Sequence, residues 1–229
     1  MSTAPAQTIT EQLVGAITAA WRAIQHHHPE VPDVVLTIGS GTLGKRSSAT
    51  LMGHFAAGRW QLTGSKDDAA EGLHELFVSG EGLRRDPPAV LGTLLHEAVH
   101  ALAAARGIND TSRQGRYHNK RFAKLAEELG LEVTEDTSRG WSSTTPTPNT
   151  RERYADELRQ LEAAMSVYRV GEQTGGAGKS KSKNLLVAEC ECPRKIRVAR
   201  ATLDLAPITC GECGQQFTAP PDDDKADTE

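Results

Sequence analysis

His96, Glu97 and His100 are the residues of this chain whose types and spacing can do chemistry. Four residues apart on a helix, two imidazoles project from one face. They can then hold one Zn²⁺ and leave positions open for water and substrate. Glu97 stands beside such a water without being a ligand, where a carboxylate can accept its proton as general base. The same residues could be a polar stripe on a surface helix. Leu91, Leu94, Leu95, Val99 and Leu102 surround them, however. The helix therefore reads as mostly buried, and three ionisable groups buried together are costly unless paired or metal-bound.

A catalytic zinc of this kind needs a third protein ligand. The extended pattern with Gly three and His six residues after the second His is absent, since Ala103 and Arg106 stand there. His118 follows His100 after 17 intervening residues, in a polar stretch entering another helix; Glu127 and Glu128 lie inside that helix. Gly115, Tyr117, Asn119 and Phe122 around His118 suggest a ligand fixed where loop meets helix, whereas the two acids read as a solvated face. Tyr117 could also donate a hydrogen bond to a developing oxyanion, although packing is the commoner role of such a neighbour.

All four cysteines lie in a second cluster. Cys190-x-Cys192 and Cys210-x-x-Cys213 are separated by 17 residues, as two turns holding a tetrahedral Cys₄ zinc would be. No thioredoxin-like pattern surrounds them, so structural metal prevails over a redox pair. The run between them alternates as strands would. Arg194, Lys195, Arg197 and Arg200 fall within it, with Lys179, Lys181 and Lys183 upstream. These charges suit phosphate contacts with nucleic acid. They equally suit a solvated strand face balanced by Glu189, Glu191, Asp204 and Glu212.

The elements that position these clusters follow from periodicity and capping. Thr8 and Glu11 form a capping-box pattern, and Ile9, Leu13, Ile17, Trp21 and Ile24 recur at helical spacing, predicting a helix over 9–27. His26, His27 and His28 close it as cations at a helix C-terminus. Strands are expected at 34–42, within 51–62 as one or two pieces, and at 76–78. His54 and His74, in this strand region, read as satisfied or exposed. Asp86 and Pro87 open the central helix and Gly107 ends it. A polar loop covers 108–121, a short helix ends at Gly130, and a Ser/Thr/Pro-rich crossing covers 136–150. A docked helix then runs to about Tyr168. A small sheet with helices is an α+β fold.

The chain has 229 residues, 38% of them apolar, and a net charge of −4. Residues 220–229 hold five acids and one Lys, so the remainder nets to zero and overall charge points to no particular partner. No run of 18 apolar residues and no signal-peptide pattern occur, so neither membrane nor export is expected. Grouped thiols suit a reducing, cytoplasmic setting. The expected organisation is a domain over 1–170, a flexible basic linker over 171–184, a zinc ribbon over 185–219 and an acidic tail over 220–229.

With these residues in place, the chain resembles the SprT-like, Spartan-type, zinc metalloprotease family. The likeness rests on LFVSGEGL (76–83) leading into TLLHEAVHAL (93–102), then His118-Asn119-Lys120-Arg121-Phe122, a linker and a C-terminal zinc ribbon. It spans about 34–217. It departs in having Asn after His118, where the family often has Gly. The resemblance implies a zincin-like core and a catalytic Zn²⁺ on His96, His100 and His118, with Glu97 as base. It also implies endopeptidase action on proteins associated with DNA, so protein substrate and DNA are the expected partners. The rival expectation is a non-catalytic nucleic-acid-binding adaptor on a protease-like fold.

Overall fold

Thr8 Oγ1 accepts from Glu11 N–H and the Glu11 carboxylate accepts from Thr8 N–H, closing a capping box at the start of α1 (Ile9–His27). The computed structural model describes residues 7–42, 50–64, 72–171 and 185–219. They fall into two compact units, within Met1–Glu172 and Gln173–Glu229. Along α1, Leu13, Ile17, Trp21 and Ile24 are buried on one stripe. Two of its terminal histidines are held away from the charged form expected of them. Burial first, then the charge of Arg153, hold His27 and His28 below the ordinary imidazole value.

In the first unit, β1 (Val34–Gly39), β2 (Gly53–Trp60) and β3 (Leu73–Ser79) form a sheet of order β1-β3-β2. β1 runs parallel to β3, and β2 antiparallel to it as one strand with an irregularity between Ala56 and Trp60. Leu76 and Val78 of β3 are buried. A 3-10 turn, Glu81–Arg84, leads into α2 (Pro87–Ala105).

The polar stretch 108–121, expected as loop, contains β4 (Thr111–Ser112) and β5 (Tyr117–His118). The stretch 136–150, expected as an irregular crossing, contains most of a hairpin. β6 (Leu131–Asp136) pairs antiparallel with β7 (Gly140–Pro146). Together they give a second sheet of order β4-β5-β7-β6, with α3 (Lys120–Glu128) between β5 and β6 in sequence. Ser, Thr and Pro mislead there: Thr is β-branched and suits a strand with one wet face.

The helix expected to about Tyr168 is two helices, α4 (Pro148–Arg153) and α5 (Ala155–Ala164), broken at Tyr154. The Tyr154 ring is fully buried in the core, whereas Tyr168 is 50% exposed. The chain leaves the helix after Ala164 because Arg169 N–H donates to Gly80 O at 2.9 Å, and its guanidinium pairs with Glu81.

α2 runs through the middle of the core. Leu91, Leu94, Leu95, Val99 and Leu102 pack there with Ile17, Ile24, Leu76, Phe122, Leu129 and Leu161. Among the described residues α2 is the one helix long and apolar enough to cross a membrane, and 67% of that window is buried inside the protein.

The second unit pairs β8 (Leu185–Glu189) antiparallel with β9 (Lys195–Ala199). Alternation stops there: α6 (Arg200–Leu205) follows as a helix, correcting the expected continuous strands. Ala201, Leu203 and Leu205 are strong helix formers, and the sheet is only two strands wide. The fold is α+β.

Candidate metal centres

Asp86 Oδ1 accepts from Ala89 N–H at 3.1 Å, and Pro87 opens α2 without an unmet N–H. Gly107, in the left-handed conformation at φ 63°, follows its end. The helix is clamped between the two sheets, and the β2 side is tight. A Cβ on Gly53 would lie 2.8 Å from Thr93 Cγ2 and 3.0 Å from Glu97 Oε1. Glycine there lets β2 run directly against the helix beside Glu97.

Three imidazoles converge. His118 Nε2 lies 3.2 Å from His96 Nε2 and 3.2 Å from His100 Nε2. The opposite nitrogens are engaged elsewhere. His100 Nδ1 lies 2.6 Å from the Asp110 carboxylate and His96 Nδ1 lies 3.1 Å from Thr144 Oγ1. Asp110 can only accept, so His100 carries its proton on Nδ1 and turns a lone pair inward. One N–H among these neutral rings can serve only one neighbour at a time, whereas a cation can satisfy all three lone pairs. Tetrahedral corners about 2.0–2.1 Å from Zn²⁺ are about 3.3 Å apart, close to the spacing seen. The donor set therefore fits a divalent ion that takes nitrogen ligands.

Electrostatics agree. Burial, then the neighbouring His100 and His118, hold His96 well below its ordinary value. Burial opposes charge on His100 too, but the Asp110 hydrogen bond and the Glu97 and Asp110 charges outweigh it and raise the ring. Phe122, fully buried, forms an aromatic floor with its ring centroid 4.5–5.0 Å from all three imidazoles. Glu97 is 5% exposed. Burial pushes its carboxyl up to about 7, against the lowering effects of His100 and the Phe55 backbone N–H that donates to it. A carboxyl poised there can both take and return a proton near neutral pH.

His96, Glu97 and His118 line a cleft of about 1110 Å³. Leu51 to Gly53 at the start of β2 and Ser142 to Pro146 on β7 form its walls. β2 pairs only with β3. β7 is paired along its length with β6, but with β5 only through His118 and Gly140. The β7 wall thus keeps ladder positions toward β5 that are unused among the described residues, whereas on the other wall Leu51 N–H donates to Gly41 O and Met52 O accepts from Ser79 N–H.

Several sequence candidates lie away from this site. Glu128 pairs with Arg106 at 2.7 Å and Glu127 is exposed, so neither joins the histidines. Tyr117 turns its hydroxyl to Glu135 at 3.3 Å, with Arg113 over its ring, which corrects the oxyanion-donor role considered for it. His54 pairs with Glu75, and His74 Nδ1 accepts from Gly58 N–H.

Asp110, Thr144 and Gly140 were not singled out from the sequence. Asp110 lies only ten residues beyond His100, and a carboxylate near a ligand histidine is a readable hint. Thr144 is brought in by the unrecognised hairpin. Gly140 has φ 69°, and a Cβ on it would lie 2.0 Å from His118 O. Only glycine permits the bridge that seats β5, and with it His118, on β7.

In the second unit the four cysteines stand together, their sulfurs within 4.8 Å of one another. Cys192 Sγ is 3.2 Å from Cys190 Sγ and 3.7 Å from Cys210 Sγ. Backbone N–H groups of Cys213 and Glu212 draw the Cys210 thiol down to about 6. Four sulfurs so grouped fit a tetrahedral ion. Arg194 pairs with Glu212 at 3.1 Å and Lys195 with Glu189 at 2.7 Å, so part of the basic stretch is neutralised locally. Arg197 is exposed on β9 and Arg200 half-buried at the start of α6. Lys179, Lys181 and Lys183 and the acidic tail lie outside the described residues, as does most of the expected linker.

No protein-family model matches the chain, no curated protein is similar to it, and no solved structure matches it.

Proposed function

We propose that the first unit is a zinc-dependent endopeptidase of the SprT-like type on a zincin-like core, and that the second is a structural zinc ribbon. The convergence of three imidazole Nε2 atoms beside a buried carboxyl, at the bottom of an open cleft, carries this reading. His96, His100 and His118 would hold the ion, with Asp110 and Thr144 orienting two of the rings. Bound there, Zn²⁺ supplies a Lewis acid that lowers the pKa of water and polarises a carbonyl. Glu97 takes the proton from the attacking water and returns it to the leaving amine. The β7 wall suits an extended polypeptide, whose backbone can use the ladder positions left toward β5.

A pure adaptor would not need a carboxyl buried beside three imidazoles, since burying it is costly. Action on DNA-associated proteins is the part of the proposal that rests on the resemblance and on the basic residues of the second unit. Incubating the full chain with a denatured protein, with and without single-stranded DNA, tests it. Wild type should cut, and Glu97→Ala should lose about 10²–10⁴-fold in rate while keeping its zinc. Near-normal cutting by that variant would overturn the mechanism.

A further inference from the structure

The cleft carries an excess of positive charge. Arg85, Arg116, Arg139 and Arg151 line it, against Asp86 and Glu97. Asp86 is committed to capping α2, and Glu97 is buried at the bottom. Among the described residues none of the four arginines forms a close ion pair with a carboxylate, although Arg85 feels the charge of Asp86 and Arg139 that of Asp136. Arg85 donates to Gly82 O and Thr93 Oγ1, and Arg151 Nε donates to Pro146 O. What sets these four apart is that they gather around one concave site. Like charges gathered in a concave site focus the field and raise the local concentration of anions.

Two classes of anionic polymer could answer that field. Nucleic acid would need stacking platforms for its bases, and no Phe, Tyr or Trp is among the described residues lining the cleft, whose two rings, His96 and His118, are turned to each other. A polypeptide would need backbone partners and side-chain pockets. The cleft offers the β7 edge and hydroxyls at Ser142, Ser143, Thr144 and Thr145.

We propose that this cleft selects extended polypeptide segments carrying aspartate or glutamate on either side of the reacting bond, with Arg116, Arg139 and Arg151 as the residues that set the preference. The inference deepens the peptidase reading and rests on it for the word substrate; the binding preference can be measured without hydrolysis. Arg85 has an additional task in holding Thr93 and the turn before α2, so it is left out of the test.

The test uses zinc-loaded full-length Glu97→Ala chain and fluorescent twelve-residue peptides, one rich in Asp and Glu, one with Asn and Gln in their place, and one with Lys and Arg. A single-stranded oligodeoxynucleotide serves as competitor. The acidic peptide should bind about tenfold more tightly than the neutral one, as a few partly exposed ion pairs would give. The preference should shrink with salt. Adding Arg116→Gln, Arg139→Gln and Arg151→Gln should reduce it to about twofold or less, with zinc content and melting temperature unchanged. Equal binding of acidic and neutral peptides overturns the inference, as does displacement of the acidic peptide by the oligonucleotide at equimolar concentration. Parallel digestion by wild type separates the two readings. Selective binding without cutting removes the peptidase and keeps the cleft preference. Cutting without preference does the reverse.

Discussion

At the scale of single residues, Asp110 orients His100 from only ten positions further along the chain. It fixes the proton on Nδ1 and directs Nε2 inward, and partners of this kind are worth about 10–100-fold in metal affinity. Asp110→Ala should therefore weaken zinc at the histidine site by that order, read by competition with a chromogenic chelator. His118→Ala should lose that zinc, and Glu127→Ala or Glu128→Ala should keep it. Retention in the first variant and loss in either of the others would move the third ligand to an acid. His28 has a different consequence. Its Nε2 is buried without a partner, and burial followed by Arg153 holds the ring below its ordinary value of 6.5, with Glu128 opposing. The unfolded chain then binds the proton more readily than the folded one. The stability His28 contributes is full above pH 6.5 and is lost as pH falls from there through the lower value of the folded state. His28→Gln should flatten that part of the acid limb in a denaturant series at stepped pH.

At the scale of elements, legibility followed the strength of local signals. The helices α1 and α2 were readable to within a residue or two, because a capping box, an Asp-Pro start and a left-handed Gly stop mark their ends. The two sheets were readable unequally. β1 and β3 are apolar runs, whereas β6 and β7 are mostly Thr, Ser and acid, a composition that resembles a loop until a partner strand is known. The site suffered the same division. His96, Glu97, His100 and His118 stood out by type and spacing, whereas Thr144 and Gly140 belong to the hairpin and gain meaning only through its register. Gly140→Ala tests that placement. The added Cβ meets the His118 carbonyl in a conformation alanine disfavours, so the cost should exceed about 1 kcal/mol. It should fall on the seating of β5: zinc affinity at the histidine site should drop while the helical circular dichroism signal is retained. Unchanged affinity would show that β5 finds His118's position without β7.

At the scale of the whole molecule, the two ligand sets belong to compact units of very different substance. The first holds nearly all the buried apolar residues, from Leu13 to Ala164; the second buries Ala188, Val198 and two of its cysteines. So few apolar contacts cannot hold some 35 residues together without a staple. The purified chain should contain two zinc ions. A strong chelator should abolish the dispersed amide NMR signals of the second unit while leaving those of the first, because only the second depends on its metal for a core. Loss of both sets together would mean that the histidine site is also a folding requirement.

The short strands around His118 also govern time. His118 arrives on β5, held by its N–H to Arg139 O at 2.9 Å and by Asn119 N–H to Asp110 O at 3.0 Å. His96 and His100 sit on a helix that cannot shift without opening the core. An ion held here would leave when a few backbone bonds at the rim break, and its residence time should follow that local fluctuation, far more frequent than global unfolding. The centre is a latch with one moving leaf, and metal exchange should keep pace with amide exchange at His118 and Asn119.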